Sequence, residues 1–259
     1  MKISTTPPTE RRRWPVERVL ALVFWLAVWQ LAAMAVGHEF LLASPWRVLQ
    51  SLAHLLLEAE TYRAAFSSLG RIMLGFLGGL VFAVLLAAGA SRSALVRQLA
   101  APLVSAARSV PVASFVILAI ILVSVRWLSS LIAFVTGFPV VYLNLVDGMR
   151  QRDRKLGQMA AVFRVPFFRR LTYVNLPQLL PFLRTGAVTA LGLGWKSGVA
   201  AEVIGIPGGS IGEQLYRVKV NYYTADLFAW TVIIVGLSLL TTLVVKALLD
   251  VGLSRLERL

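Results

Sequence analysis

The chain has 259 residues, 58% apolar and only 15% charged, against soluble norms of roughly 45–50% and about 25%. A soluble globule of that balance would leave large apolar patches in water, which argues against a soluble enzyme. The 26 Lys and Arg outnumber the 12 Asp and Glu, for a net charge of +14. These charges avoid the long apolar runs and collect between them, a pattern of membrane topology and not of a nucleic-acid groove. The absence of cysteine excludes a disulfide framework, a thiolate metal site and a cysteine nucleophile. The composition describes an all-α integral membrane protein.

A crossing helix needs about 20 mostly apolar residues. Six stretches qualify, at about 18–37, 70–90, 110–125, 127–147, 178–204 and 226–249. The polar, proline-bearing start reads as a cytoplasmic tail over 1–17, followed by a first transmembrane segment over 18–43. That first apolar run lacks a small-residue cleavage site and reads as retained. Over 44–69 an external segment opens with Ser44-Pro45, a hydroxyl N-cap with proline in the first turn. Trp46, Leu49, Leu52, Ala53, Leu56 and Leu57 recur there at helical spacing, placing the helix on the outer membrane surface or the protein's own flank. Residues 70–250 hold the other five spans, with a long basic loop at 148–177, and 251–259 is a second tail. Alternating six spans from an inside N-terminus puts 18 Lys and Arg inside, Arg97 and Arg108 among them, against 7 outside, with Arg184 near a boundary. The bias predicts that both termini are cytoplasmic.

Catalytic groupings are missing. His38 and His54 lie on the outer side without further ligands at metal-binding spacing. The stretch Gly192-Leu-Gly-Trp-Lys196-Ser197 is a poor nucleotide loop, because Trp195 stands where that loop needs glycine. Ser197 has no histidine in any span to serve as base. The chain therefore reads as neither an ATPase nor another enzyme, with no cofactor of its own, and uphill transport would need a partner or an ion gradient.

The loop carries the most specific signal. Residues 157–163 are good helix formers, and Val165-Pro166 breaks the helix, because a residue before proline is pushed out of α geometry. A second short helix over 167–174 then ends at Pro177. Phe163, Phe167 and Phe168 would be wasted in a solvated loop, so the segment reads as a docking surface.

Gln158-Met-Ala-Ala161-Val-Phe-Arg-Val-Pro166-Phe-Phe-Arg-Arg and the closing Leu176-Pro177 resemble the "EAA" coupling motif of bacterial ABC-importer permeases. Anchored on Leu176-Pro177, the motif's Glu-Ala-Ala falls on Gln158, Met159 and Ala160, and its glycine on Arg164. These departures resemble the nitrate/sulfonate/taurine branch. So do Pro45-Trp-Arg-Val-Leu49, Leu69-Gly-Arg-Ile-Met-Leu-Gly75-Phe, and Ala190-Leu-Gly-Leu-Gly-Trp195-Lys-Ser-Gly-Val-Ala-Ala-Glu202-Val-Ile-Gly205. The resemblance covers about residues 44–250. It implies a six-helix type I importer permease working with cytoplasmic ATPase subunits that bind ATP-Mg, an external substrate-binding protein and a second permease copy, most simply a homodimer in membrane lipid. It further implies that Gln158, Met159, Ala160, Ala161, Phe163, Arg164, Val165, Pro166, Phe167 and Phe168 form the ATPase-coupling loop. The branch suggests a small anionic or zwitterionic solute.

Lys196 and Glu202 are the notable ionisable residues of the fifth span. Six residues apart, they point about 240° from one another and are poor partners. One reading makes both structural, with Lys196 snorkelling and Glu202 bonded to a neighbouring span. The other places Lys196 on the solute path and Glu202 at the outer gate or dimer contact. A secondary transporter driven by an ion gradient is the rival function; it would place ionisable groups at mid-membrane and often show inverted repeats. Spans one to four contain almost no interior charge on this reading, and no repeat is visible.

Overall fold

A computed structural model describes residues 14–257, and the described residues form helices joined by short turns, without a strand. The tail over 1–13 lies outside the described residues; helix α1 (Trp14–Val36) begins just after it. There follow α2 (Pro45–Leu55), α3 (Ala59–Arg92), α4 (Ala94–Ser109), α5 (Val112–Leu122), α6 (Val125–Gln151), α7 (Arg154–Val162), α8 (Phe167–Arg170), a π turn (Leu171–Asn175), α9 (Leu176–Gly205), α10 (Ile211–Val220) and α11 (Thr224–Glu257). Helices α1, α3, α6 and α11 each contain a stretch long and apolar enough to cross a membrane.

The third span differs from the sequence expectation. The apolar run expected at 110–125 is helical only over α5, 11 residues or about 16 Å of rise, half a hydrocarbon core. It joins α4 across a bend of 107°. Val110-Pro111 causes the break: the proline lacks a donor and disfavours α geometry at Val110, whose ψ is 126°. Together α4 and α5 form one candidate broken span. Arg97 and Arg108 diluted the hydropathy of α4 and hid it in the sequence.

Helices α6 and α9 form the centre of the molecule, with α3 packed on α6. Small residues allow the close approach. Gly137 faces Ala190, Gly194 faces Ala133 and Gly186 faces Val141, an antiparallel register of Gly and Ala. A Cβ added to Gly75 of α3 would run into the Ser130 backbone carbonyl of α6. Helix α9 has 30 residues, about 45 Å, so it is long enough to cross, although Arg184, Lys196 and Glu202 lower its apolarity.

The outer elements are tied down by polar contacts. Ser44 caps α2 by accepting from the Arg47 backbone N–H at 3.4 Å. Val48 and Leu55 form its buried edge, while Trp46 and Leu49 from the expected stripe are exposed. Ser51 Oγ donates to Asp226 of α11 at 2.5 Å, and Trp29 of α1 donates to the Ala43 carbonyl at 3.1 Å. The single chain leaves most of α1 uncovered.

Candidate functional site

At the C-terminal end of α9 the chain buries a carboxylate. Glu202 is 0% exposed. Ser68 of α3 donates to its Oε2 at 2.5 Å, Ser129 of α6 donates to Oε1 at 3.1 Å, and the Gly212 N–H of α10 approaches Oε2 at 3.4 Å. Arg71 of α3 places Nη1 3.6 Å from Oε1 and donates through Nη2 to the Gly208 carbonyl at 3.2 Å. The Ser68 hydroxyl also accepts from the Ile211 N–H at 2.9 Å. One carboxylate thus joins four helices and the 206–210 turn, where Ile206 takes φ 48° and Gly209 φ 68°. Buried charge needs this density of partners. The geometry shows Glu202 bonded to neighbouring helices. Ser68, Ser129 and Arg71 were missed, because nothing local links residues 134, 73 or 131 positions from Glu202 to it.

Lys196 lies on the opposite face. Thr185, Thr189, Leu193, Lys196 and Ala200 form an exposed stripe along α9, and Lys196 edges a cavity of about 420 Å³ between α9 and α11. The two threonine hydroxyls bond back to the Pro181 and Thr185 carbonyls, at 3.0 and 2.9 Å. Lys196 has no ion-pair partner among the described residues.

Arg108, expected from the sequence in a cytoplasmic segment, is a second exposed cation. It sits in the last turn of α4. Around it Leu103, Ala106, Ala107 and Val110 share a cavity of about 300 Å³ with Phe134, Val135 and Phe138 of α6. The Thr136 and Ser197 hydroxyls stand 2.9 Å apart, which brings Lys196 to the same part of α6. Arg108 is exposed and has no ion-pair partner among the described residues.

The N-terminal end of α9 carries the hairpin. Asp153 caps α7, accepting from the Lys155 N–H at 2.7 Å. The helix stops in a Schellman motif, with Arg164 N–H donating to the Ala161 carbonyl at 3.0 Å and Val165 N–H to the Ala160 carbonyl at 2.9 Å. Arg164 takes φ 49°, so the position where the coupling pattern has glycine is the left-handed one. Pro166 then accepts from Arg170 N–H at 2.9 Å to start α8. Pro177 does not end the second helix as expected. The chain runs from α8 into α9 through the π turn, closed by Leu176 N–H on the Leu171 carbonyl, and the wider turn absorbs the proline's missing donor.

Among the expected coupling residues, Phe163 is 74%, Phe168 80% and Met159 53% exposed, and Gln158, Ala161, Arg164 and Pro166 are also exposed. Val165 is half-buried. Ala160, expected as a docking contact, is 3% exposed in the single chain. Phe167 opens α8. Arg152 donates to Asn175 at 3.1 Å, and Asp153 N–H to Gln178 at 2.8 Å, pinning the hairpin to α9.

A bundle of helices long and apolar enough to cross a membrane, with an exposed apolar hairpin at one end, fits a multi-pass membrane component. Residues 79–258 match the model of the binding-protein-dependent transport system inner membrane component, and the chain belongs to that family. It is an ABC-importer permease of the nitrate/sulfonate/taurine branch, a bacterial inner-membrane component whose ATPase is a separate subunit. Over 245 residues it is 27% identical to a Bacillus subtilis protein with the provisional name aliphatic sulfonates transport permease protein SsuC, covering 93% of this chain and 88% of the relative. It is 26% identical over 258 residues to the taurine transport system permease protein TauC of Escherichia coli, covering 95% and 90%. To the nitrate import permease protein NrtB of Synechocystis it is 23% identical over 254 residues, covering 94% and 88%.

Proposed function

We propose that two copies of this chain form the path by which a small anionic or zwitterionic solute, delivered by an external binding protein, enters the cell. Six crossings, α1, α3, the α4–α5 pair, α6, α9 and α11, then put both termini in the cytoplasm, in keeping with the Lys/Arg bias. The hairpin from α7 to α8 faces the ATPase, and ATP closure of that partner moves it. Exposed Phe163 and Phe168 support this docking role, since apolar rings on a pinned hairpin suit a buried contact.

The observation that carries the solute class is the pair of cations Arg108 and Lys196, exposed at the depth of the middle of α6. A charge at a bilayer centre costs about 2.5–3.5 kcal/mol on insertion scales, so both belong against water or a second copy, not lipid. Positive groups there raise the local concentration of an anion, as in anion-selective pores. The relatives named for sulfonates, taurine and nitrate are consistent with such a solute.

The test is uptake of labelled taurine, an alkanesulfonate and nitrate by the assembled transporter in proteoliposomes, with Lys196→Gln and Arg108→Gln compared with wild type. Each substitution is expected to lower uptake of the transported anion by about tenfold or more, while assembly and membrane insertion persist. Unchanged uptake in both would remove these cations from the path.

A further inference from the structure

A cavity of about 450 Å³ opens at the inner end of the bundle, and four arginines line it. Arg92 ends α3, Arg97 follows in the second turn of α4, and Arg150 and Arg152 come from the end of α6 and just past it. Asn175 of the π turn completes the polar rim, and no carboxylate lines the space. Arg150 pairs at 3.8 Å with Asp147, which lies outside the lining. Arg97 has no ion-pair partner among the described residues. The cavity wall thus collects positive charge, offset in part by Asp147 and by the C-terminal ends of α3 and α6.

The rest of the wall is apolar and includes Val146, Met149 and Leu179. Beside Arg97, Leu95, Leu99 and Leu103 form an exposed stripe on α4 at successive four-residue spacing. An occupant therefore meets guanidinium groups at one end and hydrocarbon at the other. Arginine suits phosphate through its planar fork of donors, and basic pockets between transmembrane helices on the cytoplasmic side suit anionic headgroups.

We infer that this cavity binds the phosphoryl headgroup of an anionic phospholipid of the inner leaflet, with an acyl chain along the α4 leucines. The inference rests on the proposed orientation, which makes this end cytoplasmic. Its position gives the lipid a consequence. Arg152 holds Asn175 of the π turn, so the headgroup bridges α3, α4 and α6 to the segment that carries the coupling hairpin, and it stiffens the relay from ATPase to α9.

The experiment uses the assembled transporter, permease with its ATPase, in detergent and in nanodiscs. Native mass spectrometry is expected to find phosphatidylglycerol retained by wild type over phosphatidylcholine, and an Arg97→Gln, Arg150→Gln double variant to lose roughly tenfold or more of that retention. Arg126→Gln, at the opposite end of α6, removes a charge elsewhere and should leave retention unchanged. ATPase activity in phosphatidylglycerol nanodiscs should exceed that in phosphatidylcholine for wild type and lose the difference in the double variant. Inorganic phosphate added to phosphatidylcholine nanodiscs distinguishes the source: if it restores activity by itself, the ligand is soluble phosphate and the lipid assignment falls. Equal lipid retention by wild type and the double variant overturns the site altogether. Because the chain lacks cysteine, labelling of Gln98→Cys by an impermeant maleimide reports orientation separately. External labelling would overturn the topology, while internal labelling with equal retention would overturn the lipid site alone.

Discussion

The two ends of α9 are held by opposite means. At the C-terminal end Glu202 is sealed from solvent, and two serines, a backbone N–H and Arg71 converge on it from α3, α6 and α10. At its N-terminal end α9 begins in a π turn pinned by two hydrogen bonds through Asn175 and Gln178, and the hairpin beyond exposes Phe163 and Phe168. A helix clamped at one end and compliant at the other behaves as a lever. On the proposed docking, the Glu202 clasp is the pivot about which a displaced hairpin would swing the stripe bearing Lys196, and the Gly and Ala face toward α6 has no large side chains to disengage. The difference teaches where force enters and where it is resisted.

The comparison breaks most visibly at the clasp. Replacing Glu202 with alanine leaves Arg71 facing a cavity and strands the Ser68 and Ser129 hydroxyls. Removing one partner of a buried charge pair typically costs about 3–5 kcal/mol. The transporter should lose thermal stability sharply in detergent, measured by a melting curve on the purified complex, and Glu202→Gln should recover part of it by keeping one acceptor. A melting temperature unchanged by Glu202→Ala would show that the C-terminal end is not clamped.

Truncation at the hairpin end should leave the fold alone and affect association. Phe163→Ala removes a ring that is 74% exposed in the single chain, so the isolated permease should melt as wild type does. If that ring is an anchor, its loss should weaken ATPase binding by about 2–4 kcal/mol, read as loss of co-purification and of transport-linked ATPase activity. Ala160 sharpens the contrast. A bulky charged residue there must disturb the hairpin itself, visible as increased amide exchange over 158–165 even without the ATPase.

Between the ends, Arg184 of α9 meets Asp250 of α11 in a two-pronged contact, Nε to Oδ1 at 2.7 Å and Nη2 to Oδ2 at 2.9 Å. Both side chains are partly exposed, 39% and 44%, so screening limits the pair to about 1 kcal/mol or less. A double-mutant cycle with Arg184→Ala and Asp250→Ala should return a coupling of that size. A coupling several times larger would make α11 a second clamp and the lever picture wrong.

How much of this was legible follows from how local each signal is. The hairpin break was legible, because Val165-Pro166 and the preceding helix formers act within a few residues. The crossing helices α1, α3, α6 and α11 were legible from uninterrupted apolar runs, although Ala59–Arg92 begins well before the apolar stretch at 70–90. The α4–α5 bend was not, because arginines on α4 disguised a helix that packs in the bundle. The Glu202 clasp was legible only as a lone acid at an unusual depth; its partners are distant in sequence, and serines at those positions carry no pattern. Pro177 was read as a terminator because proline usually is one, and only the π turn shows how the helix continues through it.

The smallest expected effect tests the turn that gives the hairpin its shape. Arg164 holds φ 49° at the C′ position of the Schellman motif, where a side chain adds strain that glycine lacks. Left-handed geometry costs an ordinary residue about 1–2 kcal/mol, and glycine gives back part of that gain through its greater freedom in the unfolded chain. Arg164→Gly should therefore stabilise the hairpin by at most about 1 kcal/mol, read as slower amide exchange at Arg164 and Val165, whose N–H groups donate to Ala161 and Ala160. The substitution also removes an exposed guanidinium, so ATPase affinity separates the two roles of the residue. Slower exchange with unchanged affinity assigns Arg164 to the turn alone. Slower exchange with weaker binding means the side chain reaches the partner, which would explain why this chain keeps an arginine where backbone geometry prefers glycine.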